Sequence, residues 1–590
     1  MQSLMRFVVV FFISISCFFL MHHFHSVCTT EIEPCCATEG RRVDGSCNCL
    51  RSPSIGSFFV PPKRVLPAVY YNGSYSRKSE CGEDLVWPRI ARKALLPDGQ
   101  STDCRFTQAT TSFPIFMFTD IGSIHDISHF VFTKTDCCTK EGINDYECTP
   151  NFVPEDDILY RLAGINCLNL TRPLTYQYYG CTNDSIPTPV EFGTTTFDMS
   201  HIYNFLNKGE KAIRAYRGGE IIMEKENGKF WPQSGPRAAC PLNRPDETRY
   251  PNILVIQTLF VVWFVRLHNY FAAQLAIVNP CWDDDKLFRV TRDMVIAYGY
   301  QMYFYEWLSS LIGRKNLIKA GIISKHPGFR DNIYDPTKCP TITLEYTYIL
   351  RYFHTAQESS AKLYDEHGCY LSEYPMFNLT TRPGFLVKDK RMEQFTQGQF
   401  RQPCGKVNDH AIDHKVGNNG LDGLQKSVDI TASDLNKARL LGLSPYIDYL
   451  YYCTGHKITC FDDLREHMDE CNIQQLKKIY KHVRDIDLMA GCWLEKFVVG
   501  GWMPRTVACL MKDCLFKAIR GDRHWYEYKH RPNAFTKSKL WFGFYRTVGR
   551  VVTALTYEFH LRRSQRLLRS HLHLEVTLEI ASSLHLTSSL

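Results

Sequence analysis

Residues 341–357 read TITLEYTYILRYFHTAQ. Aliphatic and aromatic side chains recur there every three or four residues, a spacing that predicts a buried helix over 343–363. His354 is the one histidine of that stretch, and Arg351 precedes it by three residues on the same helical face. A histidine in such a setting is commonly a satisfied core residue, and it is also a ready metal ligand. The same periodicity over 252–278, 284–311 and 473–498, with little strand-like alternation, predicts a mainly α-helical domain with long loops.

The net charge of +8 over 590 residues comes from lysines and arginines scattered among acids, with no basic stripe interleaved with aromatics. Nucleic acid is therefore not an expected partner. Residues 1–27 read as an export signal, a short lead from Met1 to Arg6 followed by an apolar run from Phe7 to Met21. That run is short for a bilayer span, which sets the signal reading above a signal anchor. Arg266 and His268 interrupt the later run from Leu254 to Val265, so it reads as a buried helix, and no membrane span is expected in the mature chain. The 24 cysteines cluster as Cys35-Cys36, Cys47/Cys49 and Cys137-Cys138, which in an exported chain reads as a disulfide framework stapling the loops. Losing Cys17 with the signal leaves an odd number, hence one free thiol or a disulfide-linked dimer. Sequons at Asn72, Asn169, Asn183 and Asn378 fit a secreted, extracellular glycoprotein. Residues 28–101 are loop-rich and read as an arm on a main domain of residues 102–545. The basic stretch 546–590 reads as a poorly ordered tail rather than a membrane-surface helix.

Three more stretches join the one around His354: IHD at 124–126, TTTFDMS at 194–200 and DETR ending at Arg249. Each alone reads as ordinary surface or turn sequence. Together and in this order they describe a haem pocket. His125 is suited to general acid–base work on peroxide. Its spacing to His129 matches zinc-binding helices, but the glutamate of that motif is missing. Asp126, one residue on, points about 100° away and can serve a separate site. In the extended loop Thr194, Asp198 and Ser200 converge, with the Thr196 carbonyl available. Adding Asp126 gives an all-oxygen shell with two carboxylates, as calcium prefers. Arg249 can stabilise negative charge on a leaving oxygen. His354 is the candidate axial iron ligand, Arg351 a candidate partner for a haem propionate, and Asp434 a candidate partner for the far nitrogen of His354.

From about Arg42 to Leu540 the chain resembles the animal haem peroxidases of the peroxidase–cyclooxygenase superfamily. The likeness is carried by RRVDGSCNCLRSPSIGS from Arg41, NPCWDDDKLF from Asn279, ARLLGLSPY from Ala438, FDDLREHM through DIDLMAG, and GDRHWYE from Gly521. WFVRLHN from Trp263 and YEWL from Tyr305 also resemble the peroxidase-like part of dual oxidases. The resemblance implies a mainly α-helical fold around a b-type haem and a structural calcium. It maps the distal histidine onto His125 and calcium ligands onto Asp126, Thr194, Thr196, Asp198 and Ser200. The proximal histidine falls on His354, the propionate arginine on Arg351, and the catalytic arginine on Arg249. An ungapped alignment from Pro251 would put Asp246 there instead.

The departures from the family pattern bear on mechanism. Ile121 and Ile124 stand where the family has a distal glutamine and a haem-esterifying aspartate, and Asn252 falls on the second esterifying position. Asp434 replaces the usual asparagine, and the following basic run is reduced to Lys437 and Arg439. These changes imply haem b without ester links to the protein. The expected activity is a secreted peroxidase that reduces hydrogen peroxide and oxidises phenolic donors one electron at a time, including matrix tyrosines. The competing expectation is a pseudoperoxidase that keeps the fold as an extracellular binding or scaffold protein.

Overall fold

The computed structural model describes residues 32–70, 76–124, 136–145, 147–173, 175–176, 188–233, 250, 254–326, 328–407, 409–420 and 428–535. His125, Asp126, Asp246, Arg249, Asn252, the export signal, the tail beyond 545 and the sequons at Asn72 and Asn183 lie outside these residues. Helices dominate what is described, and nearly all of their buried apolar side chains belong to one continuous cluster. The described strands form five short antiparallel pairs.

The longest helix, Val255–Val278, starts where the Gln257 side chain accepts the Leu254 N–H at 3.1 Å. By length and composition it could cross a bilayer, but just over half of its most apolar window is buried inside the fold. Asp283 caps the next helix, Asp284–Gln301, by accepting Lys286 N–H at 2.7 Å. The predicted continuation to 311 is present as π-helical turns through Gly313, whose φ of 94° ends the run.

The helix expected over 343–363 is shorter. Thr343 caps it, it tightens into a 3₁₀ segment at Leu350–Ala356, and it ends at Gln357 in extended backbone. Residues Ser360–Tyr364 instead form a strand against Tyr370–Pro375, with only Ala361 and Leu363 buried. Alternation of period two thus governs the segment that the helical reading had absorbed. The stretch over 473–498 likewise divides into helices Glu470–Ile479 and Leu488–Leu494. Between them Asp487 is drawn off to bind Arg439 through both carboxylate oxygens, at 3.1 and 2.6 Å.

The segment 28–101 is more than a wrapped arm. It holds helix Pro88–Leu95, whose buried Arg89 bridges Asp157 at 2.8 Å and Asp429 at 2.5 Å. Asp429 also caps helix Ile430–Leu440, accepting Ala432 N–H at 2.8 Å. One buried ion cluster therefore seats the helix that carries Asp434. Five disulfides staple the described loops, among them Cys49–Cys339 and Cys453–Cys509. Ten described cysteines hold none, three of them buried, which is more than the single left-over thiol expected. Of the described sequons, Asn378 is exposed, whereas the Asn169 side chain is occupied in accepting Cys137 N–H.

Candidate active site

Between residues 342 and 356 every residue is buried except His354, which is partly exposed. Its Nδ1 lies 2.8 Å from Asp434 Oδ2, across 80 residues of sequence. A carboxylate oxygen only accepts, so Nδ1 donates in this contact, and in the neutral ring Nε2 is the nitrogen that carries the lone pair. Arg351 Nη1 sits 3.3 Å from the other Asp434 oxygen, and the Tyr348 hydroxyl donates to the Asp434 carbonyl at 3.0 Å. This histidine is thus held through Nδ1 by a carboxylate that is itself held, and its side chain is partly exposed. That donor set fits an axial iron ligand.

The second half of the site lies on helix Gln108–Ile121 and the loop leading to Ser200. The two halves meet where the Arg351 guanidinium lies 5.7 Å over the Phe118 ring. Thr194 Oγ1 donates to Asp198 Oδ1 at 2.7 Å and Thr196 Oγ1 to Oδ2 at 2.9 Å. Ser200 N–H approaches Asp198 Oδ1 at 3.1 Å. All four residues are buried. Burial, and after it the charge of Asp120, push the Asp198 carboxyl above the usual range. A hard cation bound by these oxygens would offset both effects, so the donor set fits calcium.

Asp120 is a site residue missing from the sequence reading. Its carboxylate accepts Met199 N–H at 2.9 Å, Ser200 N–H at 2.6 Å and the Ser200 hydroxyl at 3.0 Å, and also the Tyr300 hydroxyl. His201 Nδ1 lies 3.3 Å away. Burial works against ionisation here, but His201 and Tyr300 outweigh it and hold the group below the usual carboxylate range. Met199 has a φ of 55°, a left-handed conformation that Asp120 secures from its N–H side. The sequence did contain a signal, since a lone carboxylate in the apolar run PIFMFTDI needs partners once buried.

Ile121 and Ile124 are fully buried in the apolar core and offer no polar atom to a neighbouring group. Arg439 is spent on Asp487, far along the chain from His354. An apolar pocket lined by Trp231, Tyr250, Val261, Pro383 and Leu386 includes the residue that follows Arg249.

The family model described as animal haem peroxidase matches residues 40–560. The chain is 27% identical over 538 residues to a Drosophila melanogaster protein named peroxidase, covering 87% of this chain and 77% of that one. It is 26% identical to the Drosophila chorion peroxidase, over 85% of this chain and 64% of that one. With the human peroxidasin homolog it shares 24% identity over 85% of its own length but only 35% of the human protein's. Among solved structures, peroxidase A from Dictyostelium discoideum superposes with a TM-score of 0.72 at 19% identity, covering 88% of this chain and 98% of that one. A fatty acid alpha-dioxygenase from Oryza sativa gives 0.68 at 15% identity, over 90% and 87%.

Proposed function

The chain belongs to the animal haem peroxidase family, and from that premise we propose that it is a secreted enzyme that reduces hydrogen peroxide while oxidising phenolic donors, protein tyrosines among them, one electron at a time. The observation that carries this reading is the His354–Asp434 pair at 2.8 Å. In the proposal His354 Nε2 would hold the haem iron, Asp434 fixes the tautomer and orientation of that ring, and Arg351 would receive a propionate. The bound haem would supply the iron at which peroxide is reduced and the edge at which donors are oxidised. His125 takes a proton from the near oxygen of peroxide and returns it to the leaving oxygen, whose charge Arg249 stabilises. Asp126, Thr194, Thr196, Asp198 and Ser200 would hold calcium, which would tie the loop to the segment that carries His125. The buried Ile121 and Ile124 support a haem b held without ester links. The apolar lining around Tyr250 suits an aromatic donor, and the disulfides suit an oxidising compartment.

The test is the absorption spectrum of the purified protein expressed with haem supplementation. A Soret band that shifts on peroxide and recovers with a phenolic donor supports the proposal. A His125→Ala variant that binds haem should lose most turnover. Absence of a Soret band, or full turnover in that variant, would overturn it and leave the pseudoperoxidase reading.

A further inference from the structure

We propose that His456, Glu466 and His467 form a zinc site, a locus independent of the haem and calcium readings. His456 follows the end of helix Tyr446–Thr454, which Gly455 closes in the left-handed conformation. Glu466 ends the 3₁₀ turn Phe461–Glu466, and His467 follows it. The three side chains offer ligand atoms that all lie within 4.8 Å of one another. His456 Nδ1 is 3.4 Å from His467 Nε2 and 3.3 Å from Glu466 Oε2.

Those separations decide between two readings. A direct hydrogen bond between such groups prefers about 2.7–3.2 Å, so both contacts are long for one. Ligands each about 2.0–2.1 Å from a tetrahedral zinc lie roughly 3.3–3.4 Å apart, the spacing of the two pairs that His456 makes, while Glu466 and His467 lie within 4.8 Å of each other and draw together on an ion. Two imidazoles and one carboxylate are a donor set that suits zinc, with the fourth position left for water. His467 is buried and its backbone is tied, its carbonyl accepting Lys496 N–H at 2.9 Å. His456 and Glu466 are exposed and open the site to solvent. Bound zinc would close the loop 456–467 and fasten it to the body of the fold.

The test is isothermal titration of zinc chloride into the full-length, haem-loaded and calcium-saturated protein and into His456→Ala/Glu466→Gln. Both substituted residues are exposed, so the variant is expected to fold. The native protein should bind one more zinc equivalent than the variant, at micromolar affinity or tighter. His456→Ala alone should weaken that equivalent at least about tenfold. Equal stoichiometry and affinity in the two proteins, or no zinc bound at micromolar concentration, would overturn the proposal and leave a plain histidine–histidine contact.

Discussion

His354 and Asp434 meet at 2.8 Å, and the second oxygen of the same carboxylate holds Arg351 at 3.3 Å. One side chain from helix Ile430–Leu440 therefore sets the direction of both polar groups on the Leu350–Ala356 turn. A charged partner at Nδ1 makes the ring a stronger donor through Nε2 than a neutral amide would.

Asp434→Asn tests that consequence. The amide keeps the shape and a hydrogen-bonding oxygen but removes the charge. On the proposed function the haem reduction potential should rise, and the rate of reaction with peroxide should fall by about 10–100-fold. Spectroelectrochemical titration and stopped-flow mixing read the two quantities. A variant with native potential and native rate would remove Asp434 from the site.

Asp120 makes a prediction about the loop rather than the chemistry. In Asp120→Asn the amide nitrogen must face donors, since Met199 N–H, Ser200 N–H and the Tyr300 hydroxyl all point at this carboxylate. Loss of charge-assisted bonds in a buried site should cost about 2–4 kcal/mol. A lower denaturant midpoint and faster amide exchange at Met199 and Ser200 are the expected results. Unchanged protection at those two amides would show that the loop is held by other contacts.

The contrast between Asp434 and Asp120 shows what was legible in the sequence. Asp434 could be named because a motif and a family pattern pointed to a partner for His354. Asp120 follows no motif; its role arises because helix Gln108–Ile121 brings it against a loop 80 residues away. The helical character of the chain was visible in apolar spacing, but where helices stop depends on tertiary demands. Ser360–Tyr364 leaves the helix to pair with Tyr370–Pro375, and Asp487 leaves its neighbours to bind Arg439. Pro88–Leu95 lies in a stretch that reads as loop, because its anchor, Arg89, takes its partners from residues 157 and 429.

The disulfide Cys453–Cys509 closes a loop of 56 residues and ties the end of helix Tyr446–Thr454 to helix Arg505–Gly521. Loop-closure entropy for that length gives about 4 kcal/mol. The Cys453→Ser/Cys509→Ser variant should lose most of that by urea unfolding. Haem absorbance should be retained at 25 °C, since neither residue belongs to the proposed haem site. A loss below about 1 kcal/mol would mean that the unfolded chain keeps these helices together.

Glu495 gives a pH dependence whose sign can be worked out. Burial pushes its carboxyl up to about 7 from an ordinary 4.5, only partly opposed by Thr506, whose N–H and hydroxyl each donate to it at 2.8 Å. Below pH 4.5 the group is protonated in the folded and unfolded chains and costs nothing. Between 4.5 and about 7 only the unfolded chain releases its proton, so stability falls as pH rises, by on the order of 3 kcal/mol across the window. Above about 7 both states are ionised and this contribution no longer changes. Glu495→Gln stays neutral throughout and keeps an acceptor for Thr506. Urea midpoints measured from pH 5 to 7.5 should therefore decline more steeply for the native protein than for the variant. Parallel slopes would show that Glu495 ionises in the fold at its ordinary pH.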